Sequence, residues 1–477
     1  MDSRSDKMTA RNMTGEATVT QSPADTTFDI VILGGGSGGY AAALRARQLG
    51  LTVALIEMGK VGGTCLHNGC IPTKALLHAA EVADAARESE IFGIKSTFEG
   101  VDMSQVNAYK DGVVGRLYKG LQGMLNSGGI TIVEGQGKVV GDKTVEVNGA
   151  RYTGRNLVLA TGSVARTLGL DIGGRVITSD EALELTELPS SVVIIGGSVI
   201  GVEFASVWNS FGVEVTIVEG LQSLIPLEDP ALAKQLERAF RKRKINFKTG
   251  VMFSSVEQTD AGATVTLENG EKLEADLVLV AVGRGPRSEG FGYEQAGINL
   301  DRGWVTTDER LRTNVQGVYA VGDLVPGLQL AHRGFAHGIF VAEEIAGLNP
   351  QPVIDSGIPR VTYCDPEVAS VGLTEPQAKE KYGEIETYEY NLGGNGKSQI
   401  LQTAGIVKLV RQKDGPIVGV HMIGARFGEQ VGEASLMVNW EAFPEDVAQF
   451  IHAHPTQNES LGEASLALAG KPLHAHA

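Results

Sequence analysis

At 477 residues the chain is long enough for about three globular units of roughly 150 residues each. Its 62 glycines, about 13% of the chain, follow no short repeat and point to turns and nucleotide loops, not to collagen or disorder. A formal charge of −16 argues against non-specific attachment to nucleic acid or to an anionic membrane surface.

Residues 1–26 are polar, and Asp2, Asp6, Glu16 and Asp25 offset Arg4, Lys7 and Arg11. That mixture fits neither a secretory signal nor an acid-poor transit peptide, so a disordered tail on a cytoplasmic protein is expected. No apolar run approaches the roughly 18 residues of a membrane span, and Leu277 to Val282 has strand length.

Residues 29–57 read as an apolar strand, a glycine turn (Gly34, Gly36, Gly39), a helix stopped by Gly50, and a second strand ending at Glu57. Residues 191–219 repeat this without a gap, through Gly196, Gly197, Gly201, Gly212 and Glu219. Apolar strands alternating with helices predict a parallel sheet covered on both faces. A glycine turn at a helix N-terminus lets a pyrophosphate approach free N–H groups and the positive end of the dipole. The terminal carboxylate of each copy lies 18 residues past its last glycine, close to the roughly 20 expected of an acid that binds a ribose. One such turn could serve helix packing alone; two complete units predict two dinucleotide sites. The second has Ser198 where the first has Gly36, and a β-carbon there crowds a pyrophosphate and loosens the site. Glu219 repels the 2′-phosphate of NADP, and residues 220–225 supply no Arg or Lys to receive it, which predicts NAD.

Between the two units runs Gly62-Gly63-Thr64-Cys65-Leu66-His67-Asn68-Gly69-Cys70-Ile71-Pro72-Thr73-Lys74. A structural metal needs about four ligands, and the one other cysteine, Cys364, is almost 300 residues away, so no metal is expected. Two coincidental buried thiols are the blander alternative. In a reducing compartment, a cysteine pair beside a nucleotide turn reads instead as a redox-active dithiol. Flavin is the natural intermediary between nicotinamide and sulfur. Lys74, four residues beyond Cys70, would share its helix face and put positive charge near a thiolate, or else stand solvated.

A dithiol substrate must be deprotonated, since only about 3% of an ordinary thiol is thiolate at pH 7. Near the carboxy-terminus, His452-Ala453-His454-Pro455-Thr456-Gln457-Asn458-Glu459 offers a base. Thr456 and Glu459 also have capping-box spacing, and both roles are compatible. His452 reads as loop support, His474 and His476 as a solvated tail, and Cys364 as an inert buried thiol.

These motifs, with GGTCLHNGCIPTK the most specific, resemble the pyridine-nucleotide disulfide reductases over about residues 27–470. Among them the dihydrolipoyl-oxidising members are most similar. The resemblance implies an α/β fold of two Rossmann-like dinucleotide-binding domains and a carboxy-terminal α+β interface domain. The expected boundaries are 27–165 for FAD, 166–290 for NAD, 291–360 for a central segment completing the FAD site, and 361–477 for dimerisation. Cys65 would be the interchange thiol, Cys70 the thiol against flavin, and Lys74 its neighbour. Glu203 would lie near nicotinamide and flavin, often paired with that lysine. Thr161-Gly162 and Gly283-Arg284 match the crossings between the FAD and NAD domains. Gly137 resembles a contact to FAD adenine, Val251 one to NAD, and Asp323 the residue holding the flavin ribityl chain, with Ala331 beyond it. His454 would be the base, oriented by Glu459 and reaching the partner's site in a homodimer. The resemblance thus implies tightly bound, non-covalent FAD, NAD, and oxidation of dihydrolipoyl groups on a carrier. Lipoyl domains and the peripheral subunit-binding domain of an acyltransferase would be its partners, with no nucleic acid or membrane. Glutathione-type, mycothiol-type and mercuric reductases are the rival activities, and a chiefly docking subunit is the non-catalytic alternative.

Overall fold

The computed structural model describes residues 26–474, so residues 1–25 of the expected tail, and His476, lie outside the described residues. The first copy forms a strand Thr26–Leu33, a helix Ser37–Gln48 and a strand Val53–Glu57. The second forms a strand Ser191–Ile195, a helix Val199–Ser210 and a strand Glu214–Glu219. Ile30–Leu33 and Val53–Ile56 are buried, which is why their apolar runs are continuous instead of alternating.

The first sheet has seven strands, with Thr26–Leu33 central and parallel to Val53–Glu57 and Ala150–Leu159. An antiparallel meander, Lys138–Gly141 and Thr144–Val147, extends it from Ala150–Leu159. Much later in sequence, Val318–Ala320 returns to pair parallel with Leu157–Leu159 and delivers Asp323 to the carboxyl ends of these strands. That edge is where open α/β sheets bind ligands. The second sheet has five parallel strands: Asn246–Thr249, Glu214–Glu219, Ser191–Ile195, Leu277–Val280 and Val176–Ile177. Ser163–Ala165 and Arg284–Pro286, pairing antiparallel, form the crossing between the two units.

Both glycine turns obey the same steric demands. Gly34 and Gly196 have φ of 108° and 113°, in the region where side chains are strained. A β-carbon on Gly39 would fall on the Gly34 carbonyl oxygen, and one on Gly201 on that of Gly196, so helix and strand close only on glycine.

The carboxy-terminal unit is a five-stranded antiparallel sheet running from Arg360–Thr362 to Ile385–Asn391. Helices Phe427–Asn439 and Glu459–Leu468 pack on it through Phe427, Val431, Leu461 and Ala464. Ion pairs tie this unit to the second one. Lys408 donates to Asp229 at 2.9 Å, both fully or nearly fully buried, and Arg360 pairs with Glu228 at 3.0 Å. Removing one partner strands a buried charge, so Lys408→Ala is expected to lower stability by about 3 to 5 kcal/mol, read from chemical unfolding of the whole protein. Among the described residues, no helix is long and apolar enough to cross a membrane.

Candidate active site

The cysteine loop rests on the first nucleotide turn. Gly63 has φ of 60°, and a β-carbon on it would come within 2.6 Å of Gly36 Cα, so only glycine lets the two segments touch. A short helix, Gly63–His67, carries Cys65; it breaks at Asn68 and Gly69, and Cys70 opens the helix Cys70–Arg87. Pro72 sits in that first turn, where its missing N–H costs nothing. Cys70 therefore meets the positive end of a helix dipole.

Both thiols are free and partly buried. A hydrogen bond from Cys65, helped by the Lys74 charge, lowers Cys70 to a pKa of about 7 despite burial and the nearby Glu203. The same hydrogen bond, with burial, pushes Cys65 far up. The pair is thus polarised, with Cys70 as the sulfur that holds negative charge.

Lys74, one turn along, bonds both oxygens of Glu203, at 2.9 and 2.8 Å. Burial works against its ammonium, but Glu203 outweighs it and keeps Lys74 above the ordinary lysine range. The alternative of a solvated lysine does not hold. Glu203, 3% exposed on the helix of the second unit, also accepts the Tyr363 backbone N–H at 2.9 Å, and the Tyr363 ring covers Lys74 at 5.0 Å. One carboxylate so joins both nucleotide units to the carboxy-terminal one.

A cavity of about 460 Å³ runs from the first glycine turn past the cysteines to the helix of the second unit. Its walls include Gly34, Gly36, Glu57, Gly137, Thr161, Gly162, Asp323 and Ala331, with Cys65, Cys70 and Lys74 midway. Glu203, Gly283 and Arg284 complete it on the far side. Gly39 and Gly201 pack beneath their turns, and Gly196, Gly197, Glu219 and Val251 lie outside these walls, around the second turn. The two acids are anchored alike. Glu57 accepts from Gly35 and Gly59 N–H at 2.6 and 2.8 Å, and Glu219 from Gly197 and Leu221 N–H at 2.7 and 2.8 Å.

The residues fit a bound dinucleotide on one steric observation. A β-carbon at Gly36 would meet nothing nearer than Gly63 Cα at 3.9 Å, so the chain itself does not require glycine there. A pyrophosphate laid against the turn does.

Arg284 and Asp323 meet on a residue that the sequence reading passed over. Ser163 donates to Asp323 at 2.7 Å and accepts from Arg284 Nε at 2.9 Å, while Arg284 also reaches Thr64, next to Cys65, at 3.4 Å. Arg284 therefore belongs to the cysteine cavity as much as to the second turn. Burial pushes the Asp323 carboxyl above its usual range.

At the carboxy-terminus, His454 Nδ1 lies 2.8 Å from Glu459 Oε1, while Glu459 Oε2 accepts the Thr456 N–H at 2.7 Å. The Glu459 N–H returns to Thr456 Oγ at 3.3 Å, so the carboxylate caps the chain turn and orients the histidine at once. Donation from Nδ1 leaves Nε2 as the acceptor. His454 is 77% exposed and lies outside the cysteine cavity of its own chain. Trp440, Phe450 and Ile451 are exposed in the same unit, at 76%, 73% and 95%. His452 bonds Glu433 at 2.8 Å and supports the loop. His474 is exposed, as expected, and also bonds Glu463 at 2.9 Å. Cys364 is buried, and burial pushes its thiol well up. Among the described residues, no group of three His, Cys, Asp or Glu side chains could hold a metal.

Residues 28–338 match the model of the pyridine nucleotide-disulphide oxidoreductases, and residues 358–465 that of the family's dimerisation domain. The chain is 40% identical over 471 residues to a dihydrolipoyl dehydrogenase of Bacillus subtilis, covering 94% of this chain and 99% of the relative. A mitochondrial dihydrolipoyl dehydrogenase of Arabidopsis thaliana is 38% identical, covering 94% and 91%. A leghemoglobin reductase of Glycine max is 37% identical, covering 94% and 88%. Among solved structures, LpdA of Mycobacterium tuberculosis matches with a TM-score of 0.86 at 25% identity, covering 93% of this chain and 99% of its own. The HOCl-induced flavoprotein disulfide reductase RclA of Escherichia coli, as its Cu(II) complex, matches at 0.84 and 26%, covering 93% and 100%. The dimerisation-domain match makes the protein a homodimer. With two glycine turns flanking one cysteine pair, and matches running through all three units, the chain belongs to the pyridine nucleotide-disulphide oxidoreductase family.

Proposed function

We propose that the protein is a dihydrolipoyl dehydrogenase: dihydrolipoamide and NAD⁺ yield lipoamide, NADH and a proton. The observation that carries this is the Cys65–Cys70 pair lining one cavity between two dinucleotide turns, with Lys74, itself bonded to Glu203, in the same cavity. It is supported by the dihydrolipoyl dehydrogenases matched along nearly the whole chain.

FAD would rest on Gly34, Gly36, Glu57 and Gly137, with Asp323 and Ala331 beside it. Bound there, it supplies a centre that takes electrons from sulfur and passes hydride to a nicotinamide. NAD would lie on Gly196, Gly197, Gly201, Glu219 and Val251, toward Glu203, Gly283 and Arg284.

The chemistry of this chain's own groups follows from their polarity. In the oxidised enzyme Cys65 and Cys70 form a disulfide. His454 of one subunit removes the proton of a substrate thiol at the other subunit's cysteines, Glu459 steadying the imidazolium. The substrate thiolate attacks Cys65 sulfur, forming a mixed disulfide and releasing Cys70 as thiolate. Cys70 is the better leaving group because its pKa is the lowered one. The second substrate thiol, deprotonated in turn, closes on the first, freeing lipoamide and leaving Cys65 reduced. Cys70, stabilised by Lys74, then holds the electron pair that ends on NAD⁺.

The chain's division at 27–165, 166–290, 291–360 and 361–477 follows this reading. So do docking on the lipoyl and peripheral subunit-binding domains of an acyltransferase, and a cytoplasmic place of action. The purified holoprotein is expected to form NADH with dihydrolipoamide and NAD⁺, and to turn over glutathione, mycothiol and mercuric ion at a small fraction of that rate. Equal or better turnover of any rival would replace the proposal.

Glu219 carries a second expectation. NADP should show kcat/KM at least about a hundredfold below NAD, since its 2′-phosphate meets a carboxylate with no cation in residues 220–225. Steady-state rates with each nucleotide check this.

A further inference from the structure

The two nucleotide turns invite comparison, because the backbone follows the same path at their third position, which is Gly36 in one and Ser198 in the other; Ser37 and Gly38 are replaced by Val199 and Ile200 at the helix start. Gly36 has φ −71° and ψ −171°; Ser198 has φ −89° and ψ −166°. Both are extended conformations open to any residue. Gly34 and Gly39 are demanded by the chain's own packing, whereas Gly36 answers only to what lies outside it. A side chain at this position of the second turn therefore needs no strained backbone, and space for it is taken from the ligand side.

Ser198 is not there to serve its helix. Serine is a favoured capping residue, yet at the N-cap of Val199–Ser210 its hydroxyl makes no capping bond. The residue instead lines the cavity, at the N-cap of the helix whose first N–H groups are open to an anion.

We infer that Ser198 is the residue that keeps NAD exchangeable: its side chain holds the pyrophosphate off the second turn, whereas Gly36 admits the closest approach of the resident FAD. This rests on the functional reading above and deepens it. The same dinucleotide scaffold then serves twice, once to retain and once to release, and NADH leaves readily as product.

The test is calorimetric titration of the oxidised, FAD-loaded dimer with NAD⁺, and with adenosine as a probe lacking the pyrophosphate. Ser198→Gly is expected to tighten NAD⁺ about tenfold, Ser198→Ala to tighten it less, and neither to change adenosine binding. An unchanged or weaker NAD⁺ affinity in Ser198→Gly would show the hydroxyl to be neutral or a ligand donor and overturn the inference. An equal gain for adenosine would overturn it too, as a reshaped site. If the wild-type dimer bound no NAD⁺ at all, the functional reading itself would fail.

Discussion

Cys70→Ser is expected to leave FAD bound and the dimer intact while dihydrolipoamide turnover drops by at least about 10³-fold. The asymmetry follows from where the residue sits. Cys70 opens a helix whose first turn is built by Gly69, Pro72 and Thr73, and serine is at least as good as cysteine at a helix start, so the fold keeps its supports. The cofactor cradle, Gly34 to Gly36 with Glu57 and Asp323, is built by other segments than the one that carries this sulfur, although Cys70 lines the same cavity. A serine hydroxyl, however, neither forms a disulfide with Cys65 nor ionises near pH 7, so no electron pair is left beside the flavin. The checks are flavin absorbance after gel filtration and NADH formation. Retained turnover would mean that electrons bypass the cysteine pair.

His454→Ala is expected to slow dihydrolipoamide oxidation by about 10² to 10⁴-fold, the range for losing a positioned general base. Oxidation of NADH by ferricyanide, which needs no thiol proton transfer, should stay within a few-fold. His454 lies outside its own chain's cysteine cavity, the proposed mechanism has it act across the dimer, and complementation reads this directly. A doubly tagged heterodimer of one Cys70→Ser and one His454→Ala chain has one site with both groups intact and one with neither. About half of wild-type turnover is expected, from one working site of two. No recovery would place the base elsewhere. Glu459→Gln, which weakens the hydrogen bond to His454 at 2.8 Å, is expected to cost about tenfold in kcat, measured in the same assay.

How much of this was legible in the sequence depends on the range of the interaction. The paired strand, helix and strand units are local, and their glycines answer to neighbours a few residues away or to the adjacent strand, so pattern alone placed them. The capping spacing of Thr456 and Glu459 was visible for the same reason, and both of its roles coexist. Contacts between units were invisible. Nothing near Ser163 says that it links Asp323, 160 residues on, to Arg284. Tyr363 lies within the expected dimerisation unit, but its bond to Glu203 arises only where the carboxy-terminal sheet docks. The backbone N–H of Gly322 bonds His337 at 3.3 Å, a buried histidine whose role in setting the Asp323 turn has no local signature. His474, exposed as expected, also bonds Glu463, eleven residues before it, a contact that the local sequence does not announce.

The central claim is that electrons move between a nicotinamide and the Cys65–Cys70 pair. It is tested most directly by alkylating the oxidised dimer anaerobically before and after one equivalent of NADH and mapping the labelled peptides. The account predicts no label on the pair beforehand, label on the pair afterwards, and none on Cys364 in either state, since that thiol is buried. A cysteine pair that labels equally with and without NADH, or never labels while NADH is consumed, would contradict it.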